Sequence, residues 1–182
     1  WIGVKYVIAP AGDNPFMAVL SSRTDTSSHA PLQIMPGATV TGTLPAGLSD
    51  KPVTVPQLGM LIGNYGNTSD GMLSAEVCID KQCANGQRDL KESNDNSTFY
   101  IPLTRDLHID ARSVIHYRLT RSGGSKPLVL WTSALLAATD DQQLVGPAGA
   151  VTSRGLELKL PIKDDSAPLA KSQIVLRGSS LV

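Results

Sequence analysis

The sequence predicts an all-β chain folded as one antiparallel β-sandwich of about ten strands, and three observations carry that prediction. Short apolar runs recur roughly every 10 to 15 residues, each bounded by Gly, Pro, Asn, Asp or Ser. Three runs alternate with period two: Leu73, Ala75, Val77 and Ile79; Phe99, Ile101 and Leu103; Ile115, Tyr117 and Leu119. Few stretches show capped helical periodicity, so the 16 Gly and 12 Pro fall between strands, as turns.

In chain order the expected strands cover 5–8, 16–21, 38–44, 60–64, 72–79, 98–103, 113–121, 128–133, 156–161 and 173–177. Period two places one face of each in a core and the other against solvent or ligand. Asn67-Thr68-Ser69-Asp70-Gly71 sets an Asp-Gly turn before Met72, and Asn85-Gly86 is expected to turn after the cysteines. Ser122-Gly123-Gly124-Ser125 joins two strands. Segment 139–152 is small-residue rich and reads as a helical turn or a mobile loop. With no internal repeat or linker, residues 1–182 read as one domain, with 163–182 peripheral to it.

Sixteen basic residues balance sixteen acidic ones, which argues against a general nucleic-acid binder. No apolar run reaches the ~18 to 20 residues of a membrane span; the nearest candidate, 128–138, reads as a buried strand and its exit. Starting at Trp1 rather than Met, the chain is expected to be a piece of a longer polypeptide. Cys78 and Cys83 sit at hairpin spacing, with no other cysteine in the chain. A disulfide in an oxidising compartment is the favoured reading, two free loop thiols the alternative.

Catalytic templates are absent: no His-Glu-x-x-His, Gly-x-Ser-x-Gly, phosphate loop or dinucleotide fingerprint occurs. His108 and Asp110 would share a strand face as a dyad, with His116 nearby, but Asp110-Ala111-Arg112-Ser113 reads better as a turn that Asp110 caps. His29 lies in a Ser/Thr-rich stretch and reads as an exposed loop residue. Asp70, Glu76, Asp80, Glu92 and Asp95 supply acids, but sequence alone cannot pair two across a cleft. The oxygen-rich stretch 92–98, with Asn94, Asp95 and Asn96, is a calcium candidate whose alternative is an Asx-rich turn. Asn67-Thr68-Ser69 and Asn96-Ser97-Thr98 both match the N-glycosylation acceptor.

Across 33–133 a series of soft motifs follows in order. Ile34-Met35-Pro36-Gly37 precedes the strand at 39–44, and 58–64 is followed by Tyr65-Gly66. An alternating strand runs over 71–79, Asp95-Asn96 precedes 99–103, and the closing strand at 128–133 carries Trp131. That order resembles the jelly-roll, carbohydrate-binding-module-like extracytoplasmic domains of bacterial polytopic membrane envelope proteins, glycosyltransferase-like ones among them. The resemblance implies a jelly roll on the periplasmic or extracellular face of a bacterial envelope, in a parent that acts on envelope glycans. The chain departs from strong sugar binders in its aromatics: two Trp, four Tyr and two Phe.

A glycan platform would use polar-face or loop residues: Trp131, Tyr100, His116, Arg118, Glu76 and Tyr65. Aromatic rings offer an apolar face to sugar C–H groups, and charged groups hydrogen-bond hydroxyls. The side that Trp131 takes is ambiguous, since its other role is a core anchor between sheets; Tyr117 reads as core. The expected function is a non-catalytic domain that binds or positions envelope polysaccharide for its membrane-embedded parent. The alternatives are a protein-interaction or structural domain, and a glycan-active enzyme.

Overall fold

A computed structural model describes residues 19–22, 24–136, 143–151 and 153–163. The expected strands at 5–8 and 173–177 and nearly all of the peripheral tail lie outside the described residues. The rest is an antiparallel β-sandwich. The strands are β1 (Val19–Ser21), β2 (Thr24–Ile34), β3 (Thr39–Leu44), β4 (Val53–Gly63), β5 (Met72–Ile79), β6 (Gln82–Asp89), β7 (Ser97–Ile109), β8 (Ile115–Ser122), β9 (Leu128–Leu135), β10 (Leu144–Gly146), β11 (Gly149–Ala150), β12 (Arg154–Leu156) and β13 (Leu158–Pro161). One 3-10 turn, Leu90–Glu92, follows β6.

The first sheet carries β2-β9-β4-β7 and the second β3-β8-β5-β6. Among these eight strands, β2 to β9, consecutive ones alternate between sheets except at the β5–β6 hairpin, which is jelly-roll connectivity. The period-two runs do what their pattern requires. In β5, Leu73, Ala75, Val77 and Ile79 are buried, and in β8 so are Ile115, Tyr117 and Leu119. They meet Leu58, Met60, Ile62, Phe99 and Ile101 from the opposing sheet in one core. Burial pushes the Tyr117 phenol's pKa upward.

Five short strands extend these two sheets. Segment 154–161 enters the first sheet as a wedge, because β4 and β9 pair directly only at Ile62↔Leu130 and Gly63↔Val129. Below that point β12 pairs with β9 and β13 with β4. Glu157 sits at the fork, its N–H donating to the Trp131 carbonyl and its own carbonyl accepting from Leu61. β1 then pairs with β13.

Three local expectations are corrected. Asn85 and Gly86 lie within β6, not in a turn; the hairpin turns at Asp80-Lys81, where Asp80 takes φ 52°. Residues 144–150 form the β10–β11 hairpin, which adds to β3, rather than a helical turn. β2 and β6, which the sequence pattern leaves as loops, are strands. Pro31 is tolerated in β2 because, among the described residues, that strand pairs with β9 alone and so stands at a sheet edge. Pro56 sits at the β4–β7 irregularity, where no ladder N–H is required.

Cys78 and Cys83 face each other across the β5–β6 hairpin and form a disulfide, with Cα atoms 4.0 Å apart. Among the described residues no helix is long and apolar enough to cross a membrane. Arg121, at the end of β8, is wholly buried, and its two terminal nitrogens donate to the carbonyls of Ile34 and Asp70 at 3.0 Å each. The loop holding Asp70 packs on 122–124 so closely that a Cβ on Gly124 would come within 2.3 Å of the Asp70 carbonyl oxygen.

Candidate functional site

The six residues expected to form a glycan platform divide between opposite faces of the sandwich. Glu76, His116 and Arg118 stand on the outer face of the second sheet, where Glu76 pairs in register with Arg118, and Cys78 with His116. Arg118 and Glu76 form an exposed ion pair at 3.4 Å, worth little in water. A shallow hollow of about 460 Å³ lies over this pair, lined by Ser74, Ala75, Asn85, Gln87, Thr104 and Thr120 among others. Its described lining contains no aromatic residue. Glu76 also lies near both cysteine sulfurs, within a 4.8 Å cluster, but these are bonded to each other and offer no thiolate to a metal.

Trp131 and Tyr65 lie on the outer face of the first sheet. In β9 the inward set is Leu128, Leu130 and Thr132, so Trp131 points outward and is partly exposed, not a core anchor. Its indole N–H donates to Asn96 Oδ1 at 3.2 Å. Tyr65 is 49% exposed, and its hydroxyl accepts from the Gln33 amide at 3.0 Å. Between them runs a groove of about 310 Å³ lined by Pro31, Gly63, Tyr65, Asp95, Asn96, Val129 and Trp131. Gly63 forms its floor: a Cβ there would come within 3.2 Å of Trp131 Nε1 and 3.3 Å of Asn96 Oδ1. Tyr100 is on the same sheet but apart from the groove, its ring lying over Gly59 on β4.

The Tyr65 shoulder is built on unusual backbone. Tyr65, Gly66 and Asn67 take φ values of 54°, 70° and 66°, three successive left-handed residues. A bulky side chain there is strained, and such strain concentrates at functional positions. The turn is held by Asp95, which accepts from the backbone N–H of Asn64 at 2.6 Å and of Gly66 at 2.8 Å. Asn64 Oδ1 in turn accepts from Asn67 N–H, and Asn67 Oδ1 from Asp95 N–H, at 2.7 Å each.

The same bonds describe the stretch 92–98. Both Asp95 oxygens face N–H donors, Asn96 Oδ1 faces the indole, and the Asn94 carbonyl accepts from Ser97 Oγ at 2.7 Å. The stretch forms an Asx-rich turn in which these side-chain oxygens serve protein donors. Both glycosylation-acceptor asparagines, Asn67 and Asn96, likewise have their amide oxygens engaged. Asp110 caps its turn as expected, accepting from Arg112 N–H at 2.8 Å and Ser113 Oγ at 3.0 Å. His108 instead pairs with Thr54, its Nδ1 lying 3.2 Å from the hydroxyl.

The N–H groups of Gly66 and Asn64 hold the Asp95 carboxyl below the ordinary carboxylate range, and those of Arg112 and Ser125 do the same for Asp110 and Asp70. Each group is therefore ionised more readily folded than unfolded. Its contribution to stability is complete above the unfolded value and disappears as pH falls towards the folded one. The melting temperature is expected to stay level down to about pH 5 and to drop below about pH 4. In Asp95→Asn that acid drop should shrink; thermal melts across the acid range measure it, and an unchanged drop would exclude Asp95 as a contributor.

A further cluster, not foreseen from the sequence, adjoins Trp131. His29 is a β2 strand residue rather than a loop residue, and its Nδ1 lies 2.7 Å from Glu157 Oε1. The same carboxylate oxygen accepts from the buried Ser133 hydroxyl. The His29 ring stands at 87° to the indole, 6.1 Å between centroids. Histidine and glutamate lie at opposite ends of the described chain, so no local spacing signals the pair. No protein-family model matches the chain, and no curated protein matches it.

Proposed function

We propose that the chain is a non-catalytic, extracytoplasmic sandwich domain of a larger bacterial envelope protein, and that it binds or positions envelope glycan in the Trp131–Tyr65 groove. The observation that carries this is the placement of Trp131. In a chain with two tryptophans, this one is turned away from the core and locked by its N–H onto Asn96, beside an exposed tyrosine on strained backbone. Fixed aromatic rings with amides around them suit a sugar's C–H faces and hydroxyls. The Cys78–Cys83 disulfide supports an oxidising compartment such as a periplasm or cell exterior.

Titration of the 15N-labelled chain with short neutral gluco-, manno- and galacto-oligosaccharides and with envelope polysaccharide fragments tests the reading. The Trp131 indole N–H and the amides of Tyr65 and Gly66 are expected to shift together, at affinities of about 1 mM or tighter. Flat responses to every glycan would overturn it and leave a protein-contact role for this face.

A further inference from the structure

We propose that His29, oriented by the buried carboxylate of Glu157, is the specificity-determining hydrogen-bond acceptor of this groove for a neutral, hydroxyl-bearing sugar. The inference rests on the glycan-binding reading and extends it to the ligand's chemical class and to a residue outside the groove lining.

The outward residues of β2 are His29, Pro31 and Gln33, in register with Ser133, Trp131 and Val129 of β9. At about 3.3 Å per residue this row spans roughly 13 Å. It runs from a polar end at His29, over the apolar pair Pro31 and Trp131, to a second polar end where Gln33 holds Tyr65. Such alternation matches a chain of sugar rings, apolar on its faces and hydroxylated at its rim. Among the described residues no Lys or Arg lines the groove, and the carboxylate present there is that of Asp95. That lining disfavours uronate- or phosphate-bearing polymers and favours neutral ones.

The histidine is set up from beneath. Glu157 is only 9% exposed and accepts from two donors, His29 Nδ1 and the Ser133 hydroxyl, which fix the position of its carboxylate. A neutral imidazole that donates through Nδ1 leaves Nε2 as a lone-pair acceptor, and the His29 side chain is 40% exposed. The fold fixes this pose twice over. Glu157 is pinned at the fork between β12 and β13 by its own N–H and carbonyl. The β2 irregularity between Asp25 and His29 is strapped by Arg154, which donates to the Ser28 carbonyl and to Thr132. Bulges of this kind re-aim a side chain, and a preformed acceptor keeps the ordering cost of binding low. Ser133 is buried and directed at Glu157, so it completes the support rather than serving as a nucleophile.

The test combines imidazole 15N spectra with binding of neutral trisaccharides, of their singly deoxygenated analogues and of a uronate trisaccharide. In the free protein His29 is expected to carry its proton on Nδ1, with the Nε2 resonance moving when a neutral trisaccharide binds. His29→Ala and Glu157→Gln should each weaken that binding about threefold to tenfold, the size of one neutral hydrogen bond. One deoxygenated analogue should bind wild type and His29→Ala alike, and the uronate should bind more weakly than its neutral counterpart. An Nε2-protonated His29 in wild type overturns the inference whether or not either variant folds. Unchanged affinity in both variants, with binding still lost in Trp131→Ala, overturns it and leaves the glycan reading standing. Tighter binding of the uronate overturns the neutral class, and absence of binding to every sugar overturns both readings together.

Discussion

Arg121→Met is expected to lose about 2–4 kcal/mol of unfolding free energy, because each buried carbonyl left without a donor costs about 1–3 kcal/mol. The side chain has no solvent exposure, and its two terminal nitrogens serve Ile34, at the end of β2, and Asp70, in the loop between β4 and β5. Its backbone pairs with Gly37 and Ala38 in the β2–β3 connection. One guanidinium thus ties together the crossings of three chain segments at one end of the sandwich. Methionine fills most of the volume, so the expected loss reports on the carbonyls rather than on a cavity. Lysine would not substitute, since a single ammonium cannot present the planar fork that reaches both oxygens. The guanidinium carries its own penalty: among the described residues Nε has no hydrogen-bond partner, and burial draws the group's pKa down against the favourable charge of Asp70. Urea denaturation measures the balance. A loss below about 0.5 kcal/mol, the range of an ordinary surface change, would mean that the two carbonyls find other donors.

The second large effect separates stability from binding. Trp131→Ala is expected to weaken glycan binding about thirtyfold or more, as for a hot-spot aromatic. Tyr65→Gly should also weaken it while leaving the fold as stable as before or more stable. Left-handed backbone costs an L-residue about 1–2 kcal/mol, and glycine returns about 0.5–1 kcal/mol of that through its freer unfolded chain. The net expectation is a gain of up to about 1 kcal/mol with a loss of affinity. Paired thermal melts and glycan titrations of both variants check this. A strong destabilisation by Tyr65→Gly would show that the ring is structural, not displayed for a ligand.

The parts legible in the sequence are those where burial imposes a period. β5 matches its expected limits, and β8 and β9 nearly so, because the buried face of each is mostly apolar. β2 and β6 escape the period-two pattern because their residues are mostly polar, Thr-Asp-Thr-Ser-Ser-His-Ala-Pro and Gln-Cys-Ala-Asn-Gly-Gln-Arg-Asp; pairing with β9 and β5 makes them strands. The groove was half legible. Trp131 and Tyr65 were singled out as aromatics, Asp95 and Asn96 for their oxygens, and the fold brings all four together for neither reason alone. Glu76, His116 and Arg118 follow the same polar-outward rule yet belong to the other sheet, since period two tells inside from outside but not one outside from the other.

The wedge of residues 154–161 also bears on the order in which the molecule assembles. β4 and β9 diverge beneath their short direct pairing until this segment fills the gap, and β1, at the start of the described chain, pairs with β13 near its end. Closing a loop of that length precedes any reward from the contacts it makes, which slows folding of such topologies. On a ribosome, the first sheet stays open until almost the whole described chain has emerged. Among the described residues Glu157 is then one of the last to arrive, so the contact it makes with His29 forms only after the aromatic strand beside it is in place.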